Sequence, residues 1–417
     1  MARAVNNSNV LWVWGLFILS PISAFLLAIK NYKFKEYRIF LLMFFLLFGY
    51  SSITIPESDG DDYMNAYINT REYSFENYSS DIQLVLDGKA NNLDFYAQTI
   101  KYISFQISTN YKVYFLLINL VYLLVFLKFL ETLWEYIVDR YTFFFISFFL
   151  GCCFIYNLSA GINGVRFPLA FWVFSYGALN LILKNNIKYL LIASIAVLIH
   201  VSLSFSLIFL YLFYLTKFFS NRNVLLFLLV IAFIFSYALP SFINTYMSFF
   251  GTSIENKING YTADDFMDSR VDNVKNWNWY VQFNLFGTYY FCFASLILSK
   301  LKFFKIEFDT ISNRLFGFSV FLLIHSLLSG SVVDSISNRY NIIFNLFGLI
   351  YLFYLSAKNY NNKFIKWLNY IYIPIFIINV LVKLRGDLYT LSPVLVFGNA
   401  VSIFFVDATE SIQEFFF

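Results

Sequence analysis

The sequence predicts an all-α fold, a polytopic membrane helical bundle of about 12 transmembrane segments, and three observations predict it. The 417 residues are 59% hydrophobic and only 13% charged, against roughly 25% charged in an average globular protein. Aromatic residues make up 23% of the chain, with 55 Phe and 32 Tyr, and mean hydropathy is +0.65. That is more apolar surface than one aqueous domain can hide, so lipid is the expected solvent for much of it. Third, basic residues gather in short segments between apolar runs. The chain reads as a single integral membrane domain over 1–417 in contact with a lipid bilayer. Nucleic acid is not an expected partner, because the net charge is +4 and no long Lys/Arg run occurs.

A helix needs roughly 20 apolar residues to cross about 30 Å of hydrocarbon. The first apolar run, 10–29, is too long for a signal-peptide core and lacks a cleavage pattern, so it reads as the first span. Further spans follow at 38–56, 112–131, 141–158, 166–183, 188–200, 202–216, 223–247, 278–299, 314–330, 340–356 and 367–382. The stretch 394–406 is too short to span. Between Lys188 and Lys217 a single helix would be about 45 Å long, well beyond the hydrocarbon thickness, so the segment reads as a hairpin. Its polar centre, His200, Ser202, Ser204 and Ser206, marks the apex. Cys152, Cys153 and Cys292 fall inside apolar runs, where a buried thiol is expected, and no zinc-ligand spacing occurs.

Orientation follows from the basic residues. Six short loops hold 17 of the 29 Lys and Arg, from Lys30, Lys33, Lys35 and Arg38 to Lys358, Lys363 and Lys366, and these are expected in the cytoplasm. The opposite face receives two long extracytoplasmic loops, near 57–111 and 248–277.

Charged groups near lipid are costly, about 2.5–3.5 kcal/mol each at the bilayer centre on insertion scales, and here they collect on the outer face. Arg166 lies in Gly161-Ile162-Asn163-Gly164-Val165-Arg166-Phe167-Pro168, where a span begins; glycines permit a tight entry and Pro168 suits a first helical turn. Backbone N–H groups and a guanidinium would converge there on an anion. Arg339, in Asn338-Arg339-Tyr340, repeats the placement, and two such arginines could grip a pyrophosphate bidentately. The bland alternative for each is snorkelling to headgroups, with Asp334 a structural partner for Arg339. His200 at the apex suits a general base or a phosphate contact, whereas His325, inside a span, reads as hydrogen-bonded to a neighbouring helix. Asp59, Tyr63 and Tyr67 are spaced to share one helical face, as in a sugar cleft that sets carboxylates beside aromatic rings. The second outer loop, with Tyr261, Asp264, Asp265, Asp268, Arg270 and Trp277, has the same character.

The order Asp59-x-x-x-Tyr63-x-x-x-Tyr67, Leu93-Asp94-Phe95-Tyr96, Asn163-Gly164-Val165-Arg166-Phe167, Ile199-His200-Val201-Ser202, Asn338-Arg339-Tyr340 resembles the EpsG-like group of Wzy-type polysaccharide polymerases. One departure stands out: Phe167 follows the first arginine where that family often has Gln. The resemblance implies a GT-C-like glycosyltransferase of a bacterial inner membrane, its active site facing the periplasm or cell exterior. Such an enzyme moves a growing glycan from undecaprenyl pyrophosphate to the non-reducing end of another undecaprenyl-pyrophosphate-linked oligosaccharide, in O-antigen or capsule biosynthesis. It implies no cofactor and no metal, and a chain-length regulator protein as partner. Catalytic roles fall to His200, Arg166, Arg339 and Asp59; substrate contacts fall to Tyr63, Tyr67, Asp94, Asn163, Asn338, Tyr340 and Arg270. Two rivals share some of these features. A metal-dependent polyprenyl-phosphate-sugar transferase would use Asp59-Gly60-Asp61 as an acidic pair, and a lipid-linked oligosaccharide flippase would line both membrane sides with charge.

Overall fold

The computed structural model describes residues 7–32, 34–70, 72–87, 89, 95–137, 160–216, 222–246, 278–330, 334–406 and 410–416. The expected span 141–158, both of its cysteines, and the loop 248–277 lie outside the described residues. Among the described residues every regular element is helical. They run α1 Asn7–Leu19, α2 Pro21–Lys30, α3 Lys35–Ser51, α4 Asp59–Ile68, α5 Phe75–Leu86, α6 Tyr96–Ile107, α7 Tyr111–Ile137, α8 Ala160–Asn163 and α9 Phe167–Lys184. After these come α10 Lys188–Ile199, α11 Ser204–Leu215, α12 Arg222–Tyr246, α13 Trp279–Ser299, α14 Thr310–Gly330, α15 Asp334–Lys358, α16 Lys363–Asp387, α17 Pro393–Phe397 and α18 Ile412–Phe416.

Among the described residues six helices are long and apolar enough to cross a membrane: α7, α9, α13, α14, α15 and α16. The expected first span, 10–29, is not one helix. Pro21 has no N–H to continue α1 and Ser20 is extended at φ −153°, ψ 92°, so the chain bends sharply. Trp14 and Phe17 then pack on Phe40 at 4.9 and 6.1 Å while Phe25 stacks on Phe44 at 4.2 Å, so both short helices lie along α3. The stretch 394–406 forms only α17 and a 3₁₀ turn, Ser402–Phe404, neither of spanning length.

The 188–216 segment folds back on itself. Helix α10 ends at Ile199, His200 is extended at φ −153°, a 3₁₀ turn covers Val201–Leu203, and α11 returns. The Ser194 and Tyr211 hydroxyls meet at 3.2 Å across the two arms; in a straight helix those residues would be about 25 Å apart.

Helix α9 is the centre of the bundle, with Phe171, Trp172, Phe174, Leu179 and Leu181 fully buried. Its Trp172 indole donates to the Tyr122 hydroxyl of α7 at 2.9 Å. Its Gly177 meets α10 so closely that a Cβ would stand 2.6 Å from the Ala193 nitrogen, the small-residue contact that lets membrane helices approach. The short basic segments share one end of the bundle: Arg38 pairs with Glu131 at 3.0 Å, and Arg314 donates to the Asn185 side chain at 2.8 Å. At the other end stand the hairpin apex, the start of α9 and the Asn338–Tyr340 stretch of α15.

Candidate functional site

The apex end gathers residues from four separated stretches. Ser58 caps α4, its side chain accepting from the Asp61 N–H, and three aspartates in the first turn suit the positive end of a helix. The start of the expected 57–111 loop is therefore helical, and Asp59, Tyr63 and Tyr67 all lie on α4. It lies against the Asn163–Arg166 turn through Gly60, where a Cβ would come within 2.7 Å of the Asn163 Oδ1. Only a residue without a side chain allows that approach. Ser58 Oγ also reaches Asn163 Oδ1 at 3.4 Å, so Asn163 serves as the seat for α4.

After Asn163 the backbone turns tightly. Val165 is buried at φ 38°, an uncommon conformation for a β-branched residue and the kind of strain that concentrates at functional sites. The turn swings Arg166 toward α4, its guanidinium 5.9 Å from the centre of the Tyr63 ring. Asp59, exposed, is one helical turn before Tyr63, which is half-buried. Arg166 and the Asp59–Tyr63 face thus adjoin across about 100 residues of sequence, the proximity that spacing alone could not give.

Phe167 organises the rest. The Arg339 guanidinium lies 5.2 Å above its ring, and His200 meets it edge-on at 5.4 Å. Arg339 and His200 therefore flank one aromatic side chain, that of the residue directly after Arg166 at the start of α9. Nδ1 of His200 accepts from the Ser202 backbone N–H at 3.2 Å and lies 2.9 Å from the Ser202 hydroxyl. The Ser202 carbonyl in turn accepts from the Tyr340 hydroxyl at 2.6 Å, which locks α15 to the apex and sets Arg339 beside it.

Several predicted residues take other places. Tyr67 points inward: its ring stacks on Phe105 and Tyr114 at 4.2 and 5.1 Å and its hydroxyl donates to the Ser108 carbonyl at 2.7 Å. Tyr340 is buried and is used for positioning. Asn338 is half-buried at the start of α15. His325, expected to hydrogen-bond to a neighbouring helix, has no partner for Nδ1 among the described residues; its ring instead packs between Phe209 and Tyr340 at 4.7 and 3.9 Å. Asp94 and Arg270 lie outside the described residues. Ser202 carried no local signal as a partner of both His200 and Tyr340; only the apex position hinted at it. Among the described residues no group of three or more His, Cys, Asp or Glu is arranged to hold a metal ion.

Two arginines, one histidine and an acidic aromatic helix at one end of the bundle suit an anionic leaving group and a hydroxylated substrate. A sequence-family model described as the EpsG family matches residues 37–393, a span that contains every one of these residues. No curated protein and no solved structure matches the chain.

Proposed function

From the premise that the chain belongs to the EpsG family, and so is a multi-pass membrane protein of polysaccharide-polymerase type, we propose that it polymerises lipid-linked oligosaccharide repeat units. In this reading a growing glycan leaves undecaprenyl pyrophosphate and joins the non-reducing end of a second undecaprenyl-pyrophosphate-linked unit, for O-antigen or capsule. In this reading the end that bears the two arginines faces away from the cytoplasm of a bacterial inner membrane, because the opposite end of the bundle carries the basic segments. The observation that carries the reading is the convergence of Arg339 and His200 on Phe167, with Arg166, the preceding residue, 5.9 Å from the Tyr63 ring of the Asp59–Tyr63 face.

The chemistry asks for groups of these kinds. The bond from the sugar anomeric carbon to pyrophosphate breaks, and negative charge grows on the departing oxygens. Arg166 and Arg339 bind that anion, and guanidinium forks match phosphate oxygens better than ammonium does. The attacking hydroxyl loses a proton, and Asp59 is the carboxylate beside the arginine turn that takes it. Tyr63 offers a ring face to the sugar, and Asn163 and Asn338 offer amides at the rim.

The test is a polymerisation assay with purified chain and purified lipid-linked repeat unit, run with and without chelator. Ladder formation in chelator is expected. Arg166→Ala and Arg339→Ala should each lose about a hundredfold or more, and the corresponding Arg→Lys changes should fall well short of wild type. Folded, inserted Arg→Ala variants that polymerise normally would remove the basis of the proposal. A strict divalent-cation requirement would favour the metal-dependent transferase instead.

A further inference from the structure

His200 is the residue to which sequence reasoning gives two incompatible jobs, taking a proton from the acceptor or holding a phosphate. The hydrogen bonds at the hairpin apex separate them. The Ser202 peptide nitrogen lies 3.2 Å from Nδ1 with its hydrogen directed at the ring, and a peptide N–H can only donate. Nδ1 therefore presents its lone pair, and the neutral ring carries its proton on Nε2. The Ser202 hydroxyl, 2.9 Å from the same atom, is a second donor to it.

We propose that Ser202 is a positioning residue that fixes His200 as the Nε2–H tautomer, so that this histidine donates a hydrogen bond to an anionic oxygen of the bound phosphate group and is not the base. The identity of that anion rests on the polymerase reading; the tautomer rests on geometry alone. The arrangement is held from three sides. Phe167 meets the imidazole edge-on at 5.4 Å and limits its swivel. The turn is closed by the Leu203 N–H donating to the His200 carbonyl at 3.2 Å. Tyr340 grips the Ser202 carbonyl, which places the Nε2–H donor and the neighbouring Arg339 in one register. A single residue, Ser202, thus sets two anion contacts that arise from different helices.

The proton balance follows. As the acceptor oxygen bonds to the anomeric carbon, the carbon–oxygen bond to pyrophosphate breaks and its electron pair leaves with the phosphate. The hydroxyl proton passes to a carboxylate, Asp59, and from there to water. The Nε2–H bond shortens toward the phosphate oxygen as charge develops, with no net transfer through the imidazole.

The chain has two histidines, which makes the tautomer directly readable. In the full-length protein labelled with ¹⁵N-histidine, at neutral pH, His200 is expected to show an unprotonated Nδ1 and a protonated Nε2, assigned by the signals that vanish in His200→Gln. A proton on Nδ1, or a doubly protonated ring, overturns the proposal whatever the protein catalyses. Ser202→Ala keeps the peptide donor but loses the hydroxyl; it should lower kcat about tenfold with little change in KM and shift the ring signals toward a mixture of tautomers. In the polymerisation assay His200→Gln, which sets an amide N–H near the Nε2 position, should retain more activity than His200→Asn, which cannot reach it. Equal inactivity of the two in folded protein would also overturn it. If no polymerisation occurs under any condition, the functional reading fails while the nitrogen spectrum still decides the tautomer.

Discussion

Phe167 shows how much one side chain can organise. It stands at the entry to α9 between a guanidinium and an imidazole, and an Arg over an aromatic face is worth about 0.5–2 kcal/mol according to how dry the site is. Phe167→Leu keeps apolar volume but removes the ring's electron-rich face. The expected outcome is a polymerisation rate lowered about tenfold with a modest fall in unfolding temperature from the lost ring contact, read from ladder formation and from unfolding in detergent. A rate equal to wild type would mean that Arg339 is held by other contacts. Some of this site is legible in sequence and some is not. The Asp59–Tyr63 face follows from four-residue spacing, and Arg166 follows from glycines and a proline at a span entry. Tyr67 shares that spacing yet turns inward, because the face it completes is covered by Phe105 and Tyr114 from distant helices. The role of Ser202 depends on a hydroxyl 138 residues further along the chain, which no local pattern encodes.

Among the elements, the junctions decide more than the spans do. Asp309 caps α14: its carboxylate accepts from the Ser312 N–H at 2.8 Å and from the Tyr354 hydroxyl at 2.5 Å. Burial alone would raise this carboxyl, but the bonds from Tyr354 and Ser312 outweigh it and hold it below the usual carboxylate range. A depressed folded value stabilises the fold above the unfolded value of about 3.9, and that stability is lost as pH falls through the folded value. Thermal unfolding of wild type should therefore lose stability on acidification below about pH 4, and Asp309→Asn should be less stable at neutral pH with that part of the acid dependence gone. At the α9–α10 crossing, Gly177→Ala would set a methyl against the Ala193 and Tyr189 backbone. Overpacking of this kind costs about 1–3 kcal/mol, so a lowered unfolding temperature is expected, with activity falling as the start of α9 shifts. Hydropathy located most of these helices within a few residues. It missed the bend at Ser20-Pro21, since an apolar run reads the same whether it continues or doubles back; the missing N–H of Pro21 was the available clue.

Among the described residues the basic segments gather at one end and the candidate site stands at the other, a separation that the sequence predicts because charge follows chain parity across spans. The orientation is open to a direct check. With Cys152, Cys153 and Cys292 replaced, Asn110→Cys at the site end should react with a membrane-impermeant maleimide on intact cells, whereas Asn186→Cys, exposed at the basic end, should react only after permeabilisation. The reverse pattern would place the site in the cytoplasm. The hairpin adds a matter of depth. Its arms are 12 residues each, about 18 Å at 1.5 Å per residue, against roughly 30 Å of hydrocarbon. An apex reached from the basic end on arms that short stops well below the far surface. In the proposed orientation the apex histidine then lies below the far surface, within the hydrocarbon thickness. On the polymerase reading, a lipid-borne sugar phosphate would meet that histidine within the thickness of the membrane, its head group drawn down between the helices instead of waiting at the surface.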